Sequence, residues 1–221
     1  MGAAIPKLAE VYLGLLVATQ QQYWPAAPEP WVMAAQVEKE TCITLTHSKC
    51  WSPRAELKTS RENGIGFGQA TRAYNSDGSI RFDKISELRA AHPAALRGWA
   101  WETRYDPELQ MRGLVLADWM GFKRFKGLVN TDMDAWRFTL AGYNGGDGAV
   151  LQDRLACRTA PPCNPAVWYG NVELHSKKSR KPWKGYGQSA YEINRGYVRR
   201  VETRAPDYIP LWKKHDDTRA R

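Results

Sequence analysis

The chain has 221 residues, of which 43% are hydrophobic and 25% are charged, a composition typical of a folded globular protein that excludes a disordered or fibrous chain. Its 32 lysines and arginines outnumber its 23 aspartates and glutamates, which gives a formal net charge of +9 at pH 7. This charge favours an anionic partner, such as a bacterial wall, a nucleic acid or a lipid surface.

Apolar residues recur at helical spacing along most of the chain. The pattern predicts helices at residues 5–23, 31–42, 84–91, 107–125, 131–143, 148–158 and 188–203. Between residues 43 and 83 the periodicity fades, and glycines and prolines predict turns with short strands. Residues 159–187 are rich in proline, lysine and glycine and predict a long exposed connection. We therefore expect one mainly helical domain over residues 1–221, with a small irregular or β element near residues 60–83.

The N-terminal segment lacks the pattern of a secretion signal. Its apolar run, Val11 to Ala18, follows Lys7 and Glu10, has no small-residue cleavage site after it, and is too short to span a bilayer. We therefore expect synthesis in the cytoplasm without a signal peptide, and no stable insertion into a membrane.

Four cysteines form two local pairs, Cys42 with Cys50 and Cys157 with Cys163. No histidine lies at metal-ligand spacing beside either pair, which argues against a zinc site. Each pair can close a short loop as a disulfide in an oxidising compartment, or remain as two reduced thiols. Both alternatives stay open, and we expect neither a metal nor an organic cofactor.

Several short motifs carry residues suited to chemistry on sugars. The first places a carboxylate, followed by a hydroxyl, at the end of the second predicted helix. The second is a glycine-rich turn that ends in an amide, and the third is a helix that ends in Tyr-Asn-Gly. A later helix contributes one more tyrosine. The residues concerned are Glu40 and Thr41; Gly66, Phe67, Gly68 and Gln69; Tyr143 and Asn144; and Tyr197.

In this order, the motifs resemble those of the soluble lytic transglycosylases of the lysozyme-like superfamily, and the resemblance covers residues 5–203. The family motifs read Glu-Ser, Gly-Leu-Met-Gln, Ala-Tyr-Asn-Ala-Gly and Glu-Thr-x-x-Tyr-Val. Here Thr41 replaces the serine, and Phe67 and Gly68 replace leucine and methionine. Glu192 lies one residue too far from Tyr197 to match, so only the tyrosine is carried over. The absence of a secretion signal, the size and the basic charge also resemble a bacteriophage endolysin.

The resemblance implies a two-lobed, lysozyme-like fold and a monomeric enzyme that acts on peptidoglycan glycan strands in the periplasm. It implies cleavage of the β-1,4 bond between N-acetylmuramic acid and N-acetylglucosamine, with a 1,6-anhydro-muramic product. Glu40 is then the sole acid/base. The residues implied to bind substrate are Thr41, Gly66, Phe67, Gly68, Gln69, Tyr143, Asn144 and Tyr197.

Several of these residues also have a structural interpretation, and Glu40 can be a surface carboxylate on its helix. Gln69 can cap a turn, Tyr143 and Tyr197 can be core aromatics, and Asn144 before two glycines can end a helix. Glu38, two residues before Glu40, is expected to be a solvated helix residue.

Three alternative functions remain. A lysozyme-type hydrolase on the same fold needs a second carboxylate, for which the candidates are Glu56, Glu62, Asp77 and Asp83. A wall-binding or virion protein would keep the fold without activity. A nucleic-acid-binding protein ranks last, because no recognised motif is present and the basic residues are scattered. The densest basic segment, residues 177–184, is expected to be a solvated loop that steers the chain toward an acidic polymer.

Overall fold

The computed structural model describes residues 4–182 and 187–217. Most of these residues are helical, and the strands form a single small sheet between the second and third helices. The elements in chain order are α1 (Lys7–Tyr23), α2 (Trp31–Thr41), β1 (Glu56–Lys58), β2 (Glu62–Ile65), β3 (Ala70–Tyr74), β4 (Ile80–Asp83), α3 (Lys84–Ala91), α4 (Pro107–Lys126), α5 (Asp132–Gly145), α6 (Asp147–Arg158), a 3-10 helix (Val172–Leu174), α7 (Ala190–Arg204), a second 3-10 helix (Ala205–Tyr208) and α8 (Ile209–Asp217).

The four strands form an antiparallel sheet in the order β1-β2-β3-β4. Each strand pairs with the next through a short turn, with Glu56 opposite Ile65 and Glu62 opposite Ala73. The predicted β element is therefore confirmed, and it begins a few residues earlier than the sequence indicated. The expectation of a mainly α fold with a small sheet is also confirmed.

The chain divides into two compact units. Unit 1 comprises the residues up to Leu116 together with those from Arg204 onward, and unit 2 comprises Ala117–Thr203. Each unit has its own buried aromatic side chains, such as Trp51 and Tyr208 in unit 1 and Trp136 and Trp168 in unit 2.

Helix boundaries follow local signals that the sequence displays. Thr131 accepts a hydrogen bond from the backbone N–H of Asp134 at 3.0 Å, which confirms the predicted cap of α5. Asp83 caps α3 in the same way, through the N–H groups of Ile85 and Ser86. A side-chain oxygen at these positions satisfies backbone donors that the first turn of a helix leaves open.

Two expectations were wrong. The sequence pattern predicted no helix after residue 203, yet α8 forms and buries Trp212. A helix of nine residues has little intrinsic stability, so its packing in the fold decides whether it forms. The connection 159–187 is also not wholly exposed, because Trp168, Val172 and Glu173 are buried within unit 2.

Both cysteine pairs are disulfides, and each lies within one unit. Cys42 bonds Cys50 in unit 1, and Cys157 bonds Cys163 in unit 2. Among the described residues, no helix has the length and apolar character needed to cross a membrane.

Candidate active site

Glu40 lies in the last turn of α2. The helix is buried continuously from Val32 to Glu38, whereas Lys39 and Glu40 are only half-buried. It ends at Cys42, which has extended backbone geometry and donates its N–H to the carbonyl of Glu38. Glu40 therefore stands at the end of a helix anchored in the core, with part of its side chain open to solvent.

Thr41 faces the interior and has its hydroxyl fully engaged. The Thr41 hydroxyl donates to the carbonyl oxygen of Val37 at 2.7 Å and accepts the backbone N–H of Trp51 at 2.8 Å. The residue is 4% exposed. This geometry gives Thr41 a role in holding the end of α2, because its hydroxyl is already paired with protein groups.

Trp51 adopts a backbone conformation that is rare for a bulky residue. Its φ is +56°, in the left-handed region, which costs roughly 1–2 kcal/mol for a side chain with a Cβ. The residue follows Cys50 of the first disulfide, and its indole N–H donates to the Tyr208 hydroxyl at 3.0 Å. Its fully buried ring and these bonds hold the conformation in place.

Glu38 is buried, which corrects the expectation that it is a solvated residue. Its carboxylate accepts Nε and Nη2 of Arg204 at 2.7 and 2.9 Å and the Tyr208 hydroxyl at 2.5 Å. Burial, and then the hydrogen bond to Glu38, raise the pKa of Tyr208 above its ordinary value. The local pattern cannot reveal this pairing, because the partners are 166 and 170 residues away along the chain.

The second motif forms the turn between β2 and β3, which we call the glycine turn (residues 66–69). Gly66 has a φ of +70°, and its N–H donates to the carbonyl oxygen of Ala55 at 2.8 Å. Gln69 also has a positive φ, of +45°, and its amide nitrogen donates to the carbonyl oxygens of Gly66 and Ala55. The Gln69 amide thus caps the turn, as in the alternative structural interpretation of this residue.

Gln110 is a residue that the motif comparison missed. From α4, its amide oxygen accepts the N–H of Phe67 at 3.0 Å, and its amide nitrogen donates to the carbonyl oxygens of Pro53 and Arg104. A Cβ at Gly66 would lie 2.1 Å from that amide oxygen, so no other residue fits there without displacing Gln110. The signal in the sequence is only a polar residue among the mostly apolar residues on the buried face of α4.

Phe67 lies in the core of unit 1. Its ring is fully buried and contacts Tyr12 and Trp51, with centroid distances of 5.1 and 6.4 Å. The expected substrate contact by this ring is therefore not available in this structure. The ring instead anchors the glycine turn, and the neighbouring Gly68 is half-buried.

The third motif lies at the end of α5 in unit 2. Tyr143 is half-buried and Asn144 is exposed. The side-chain oxygen of Asn144 accepts Nδ2 of the buried Asn194 at 3.1 Å, and Nδ2 also donates to the carbonyl oxygen of Ala141. Asn194 thereby links α7 to the end of α5. Asn194 belongs to none of the motifs, so the motif pattern did not predict its role.

Tyr197 is 2% exposed and lies on the buried face of α7. This position supports the alternative interpretation of Tyr197 as a core aromatic residue. Glu192, which the motif comparison left out, accepts the backbone N–H and the hydroxyl of Ser189 at the start of the same helix.

Two of the four candidate second carboxylates serve local structure. Asp83 caps α3 and pairs with Arg72, whose Nη2 lies 2.5 Å away. Burial opposes ionisation, but the hydrogen bonds from Arg72 and the Ser86 N–H outweigh it and lower the pKa of Asp83. Asp77 accepts the hydroxyl and backbone N–H of Ser79, which lowers the pKa of Asp77 as well.

The other two candidates, Glu56 and Glu62, pair with the side chains of Tyr105 and Arg81. Glu56 accepts the hydroxyl of Tyr105, and that hydrogen bond raises the pKa of Tyr105. Glu62 is 54% exposed at its side chain and pairs with Arg81 at 3.4 Å. Glu62 therefore keeps an accessible carboxylate within unit 1.

The basic segment 177–184 is only partly a solvated loop. Lys177, Arg180 and Lys181 are exposed, but the half-buried Lys178 donates its Nζ to the carbonyl oxygen of Gly145 at 2.9 Å. Burial lowers the pKa of Lys178. Lys184 lies outside the described residues.

Unit 1 thus contains Glu40, Thr41 and the glycine turn, whereas unit 2 contains Tyr143, Asn144 and Tyr197. Across residues 4–182 and 187–217, no three His, Cys, Asp or Glu side chains are grouped as metal ligands. No protein-family model matches the sequence, and no curated protein matches it either. The functional interpretation therefore depends on the residues and geometry of the two units.

Proposed function

We propose that the protein is a peptidoglycan lytic transglycosylase of the soluble, lysozyme-like type, with a two-lobed fold and Glu40 as its only acid/base. One observation carries the proposal: Glu40 is half-buried at the end of a core-anchored helix, in the same unit as the glycine turn. A glycosidase acid needs partial shielding from water together with access to the leaving-group oxygen. The order of the motifs and the mainly helical fold with one small sheet support it further.

In the first chemical step, the Glu40 carboxyl donates its proton to the glycosidic oxygen. The carbonyl oxygen of the muramic N-acetyl group attacks C1 as the bond from C1 to the leaving oxygen breaks. Glu40 is then ionised, and the sugar holds a cyclic oxazolinium-type intermediate. Because the substrate supplies the nucleophile, this step requires no second carboxylate, in contrast to most glycosidases.

In the second step, the Glu40 carboxylate removes the proton from the muramic C6 hydroxyl. The C6 oxygen attacks C1, the bond from C1 to the acetamido oxygen breaks, and a 1,6-anhydro ring forms. Glu40 regains its proton and no water is consumed. In this proposal, Tyr143 and Asn144 orient the acetamido sugars, Gln69 holds the glycine turn, and the backbone of that turn approaches the sugars closely.

The charge and the disulfides are consistent with a target in the bacterial wall. A net charge of +9 raises the local concentration of an anionic polymer. Disulfides persist in oxidising environments such as the periplasm. We therefore propose an endolysin-type role, in which the chain is made in the host cytoplasm and acts on the wall in the periplasm during lysis.

Mass spectrometry of soluble fragments released from purified Gram-negative sacculi tests the proposal. We expect 1,6-anhydro-muramic ends, and we expect Glu40→Gln to lower the release rate by between about 10² and 10⁴-fold while folding and wall binding persist. Glu10→Gln is the matched control, because Glu10 is an exposed helical glutamate of the same unit. A Glu40→Gln variant with substantial activity would contradict the assignment.

A lysozyme-type hydrolase is the second candidate, because Glu62 keeps an accessible carboxylate at the start of β2, the strand that leads into the glycine turn. This alternative predicts products with reducing muramic ends, heavier by one water. It also predicts that Glu62→Gln lowers the rate, whereas the transglycosylase reaction leaves that variant active.

A further inference from the structure

The last turn of α2 is connected to the C-terminal segment of unit 1 by a continuous series of hydrogen bonds. Arg204 and Tyr208 both donate to the carboxylate of Glu38. The Tyr208 hydroxyl accepts the indole N–H of Trp51, and the backbone N–H of Trp51 donates to the Thr41 hydroxyl. The series therefore begins two residues before Glu40 and returns to the residue directly after it.

Most of this series is shielded from water. Tyr208 and Trp51 are fully buried and Glu38 is 8% exposed, so water has little access to their polar atoms. Breaking one bond leaves a buried group without its partner, which is more costly than losing a hydrogen bond at the surface. We call Glu38, Arg204 and Tyr208 the Glu38 cluster.

The position of the cluster matters because α2 ends directly after Thr41. Cys42 is already extended, so Glu40 lies in the last helical turn of α2. The anchors on either side of Glu40 are Glu38, through Arg204 and Tyr208, and Thr41, through Trp51. A misplacement of a catalytic group by about 1 Å can lower a rate by about a hundredfold.

We infer that Glu38, Arg204 and Tyr208 are positioning residues for Glu40: through Trp51 and Thr41 they fix the last turn of α2, and with it the place of the Glu40 carboxyl relative to the bond that is cleaved. This inference rests on the proposed function of Glu40. We assign the three residues no contact with the substrate, because their polar atoms are paired with one another and with Trp51, Asp207 and the Ala4 carbonyl inside unit 1.

Tyr208→Phe is the sharpest test, since it removes one oxygen atom and keeps the ring. The matched control is Tyr169→Phe in unit 2, where the Tyr169 hydroxyl likewise donates to a glutamate, Glu202, that is paired with an arginine. We expect Tyr208→Phe to lower kcat by between about tenfold and a hundredfold, with KM and binding to sacculi unchanged. We expect Tyr169→Phe to leave kcat unchanged. Equal kcat values for the two variants and the wild type would overturn the inference.

Amide hydrogen exchange provides a readout that does not depend on activity. We expect the Trp51 amide, which donates to Thr41, to exchange faster in Tyr208→Phe than in the wild type and in Tyr169→Phe. Unchanged exchange at Trp51 would overturn the positioning role. If the wild type releases no glycan fragments from sacculi, the proposed function fails, and the exchange measurement still decides whether Tyr208 holds this turn.

Discussion

Each unit contains a tyrosine, a glutamate and an arginine joined in the same way, yet the two sets differ in burial. In the Glu38 cluster of unit 1, the side chains of Arg204 and Glu38 are 13% and 10% exposed, and Tyr208 is fully buried. The corresponding set in unit 2, which we call the Glu202 cluster, consists of Glu202, Arg137 and Tyr169. Its arginine and glutamate side chains are 20% and 22% exposed, and Tyr169 is half-buried.

The parallel extends to a further carboxylate on each arginine. Arg204 pairs with Asp207 at 2.5 Å, and Arg137 pairs with Asp134 at 3.1 Å. The same chemistry therefore occurs in two environments. Where water is excluded, each bond fixes geometry, because no solvent molecule can replace a lost partner; where water has access, the same bond contributes less.

Removal of the arginines is expected to give the largest difference between the clusters. Arg204→Met leaves the buried Glu38 carboxylate without its cation, and we expect a loss of about 3–5 kcal/mol in the free energy of unfolding. Arg137→Met removes the cation from Glu202, whose side chain is 22% exposed, while the buried Asp134 keeps its hydrogen bonds from the Thr131 hydroxyl and the Trp168 N–H. We therefore expect a smaller loss, of about 1–2 kcal/mol. Urea denaturation of both variants measures the losses. Similar losses would show that burial does not distinguish the clusters.

Removal of the tyrosine hydroxyls is expected to lower stability less than removal of the arginines does. The loss is again expected to be larger in the Glu38 cluster than in the Glu202 cluster. Tyr208→Phe leaves the indole N–H of Trp51 unpaired in the core, so we expect a loss of about 1–3 kcal/mol. For Tyr169→Phe we expect about 1 kcal/mol or less. Thermal unfolding of both variants at one pH measures these losses. A larger loss for Tyr169→Phe than for Tyr208→Phe would contradict the comparison.

A still smaller loss of stability is expected at the end of α5, in unit 2. Lys178 donates to the Gly145 carbonyl at the end of α5, from a half-buried position. We expect Lys178→Met to cost about 0.5–1.5 kcal/mol and to leave the Trp51 amide exchange of unit 1 unchanged. Lys181→Met, at an exposed lysine of the same segment, is the control and should cost nothing measurable.

The last prediction concerns stability at alkaline pH. At neutral pH the tyrosines are protonated, and no change in stability with pH is expected from them. Burial, and then the hydrogen bond to a glutamate, raise the pKa of Tyr208 and of Tyr169 above the ordinary value of 10. The unfolded chain ionises first, so the stabilisation is complete below about pH 10 and is lost as the pH rises above it. We expect stability to fall above that pH, and to fall less steeply in Tyr208→Phe. An identical slope in that variant and in the wild type would argue against a contribution from Tyr208.

Most elements of the fold could be predicted from local patterns. The bounds of α3 match the prediction, and those of α4 and α5 differ from it by one or two residues, because helical periodicity and caps such as Thr131 are local signals. Helix α8 could not be predicted, since its formation depends on the burial of Trp212.

The mainly helical class, the position of the small sheet and the order of the motifs around Glu40 and the glycine turn follow from the sequence. The burial of Glu38 with Arg204 and Tyr208, the inward direction of the Thr41 hydroxyl and the bonding of both cysteine pairs became known from the folded chain. The difference arises from the range of the interactions. Helix and turn propensities act over a few residues, whereas the environment of a carboxylate is set by groups that folding brings from distant parts of the chain.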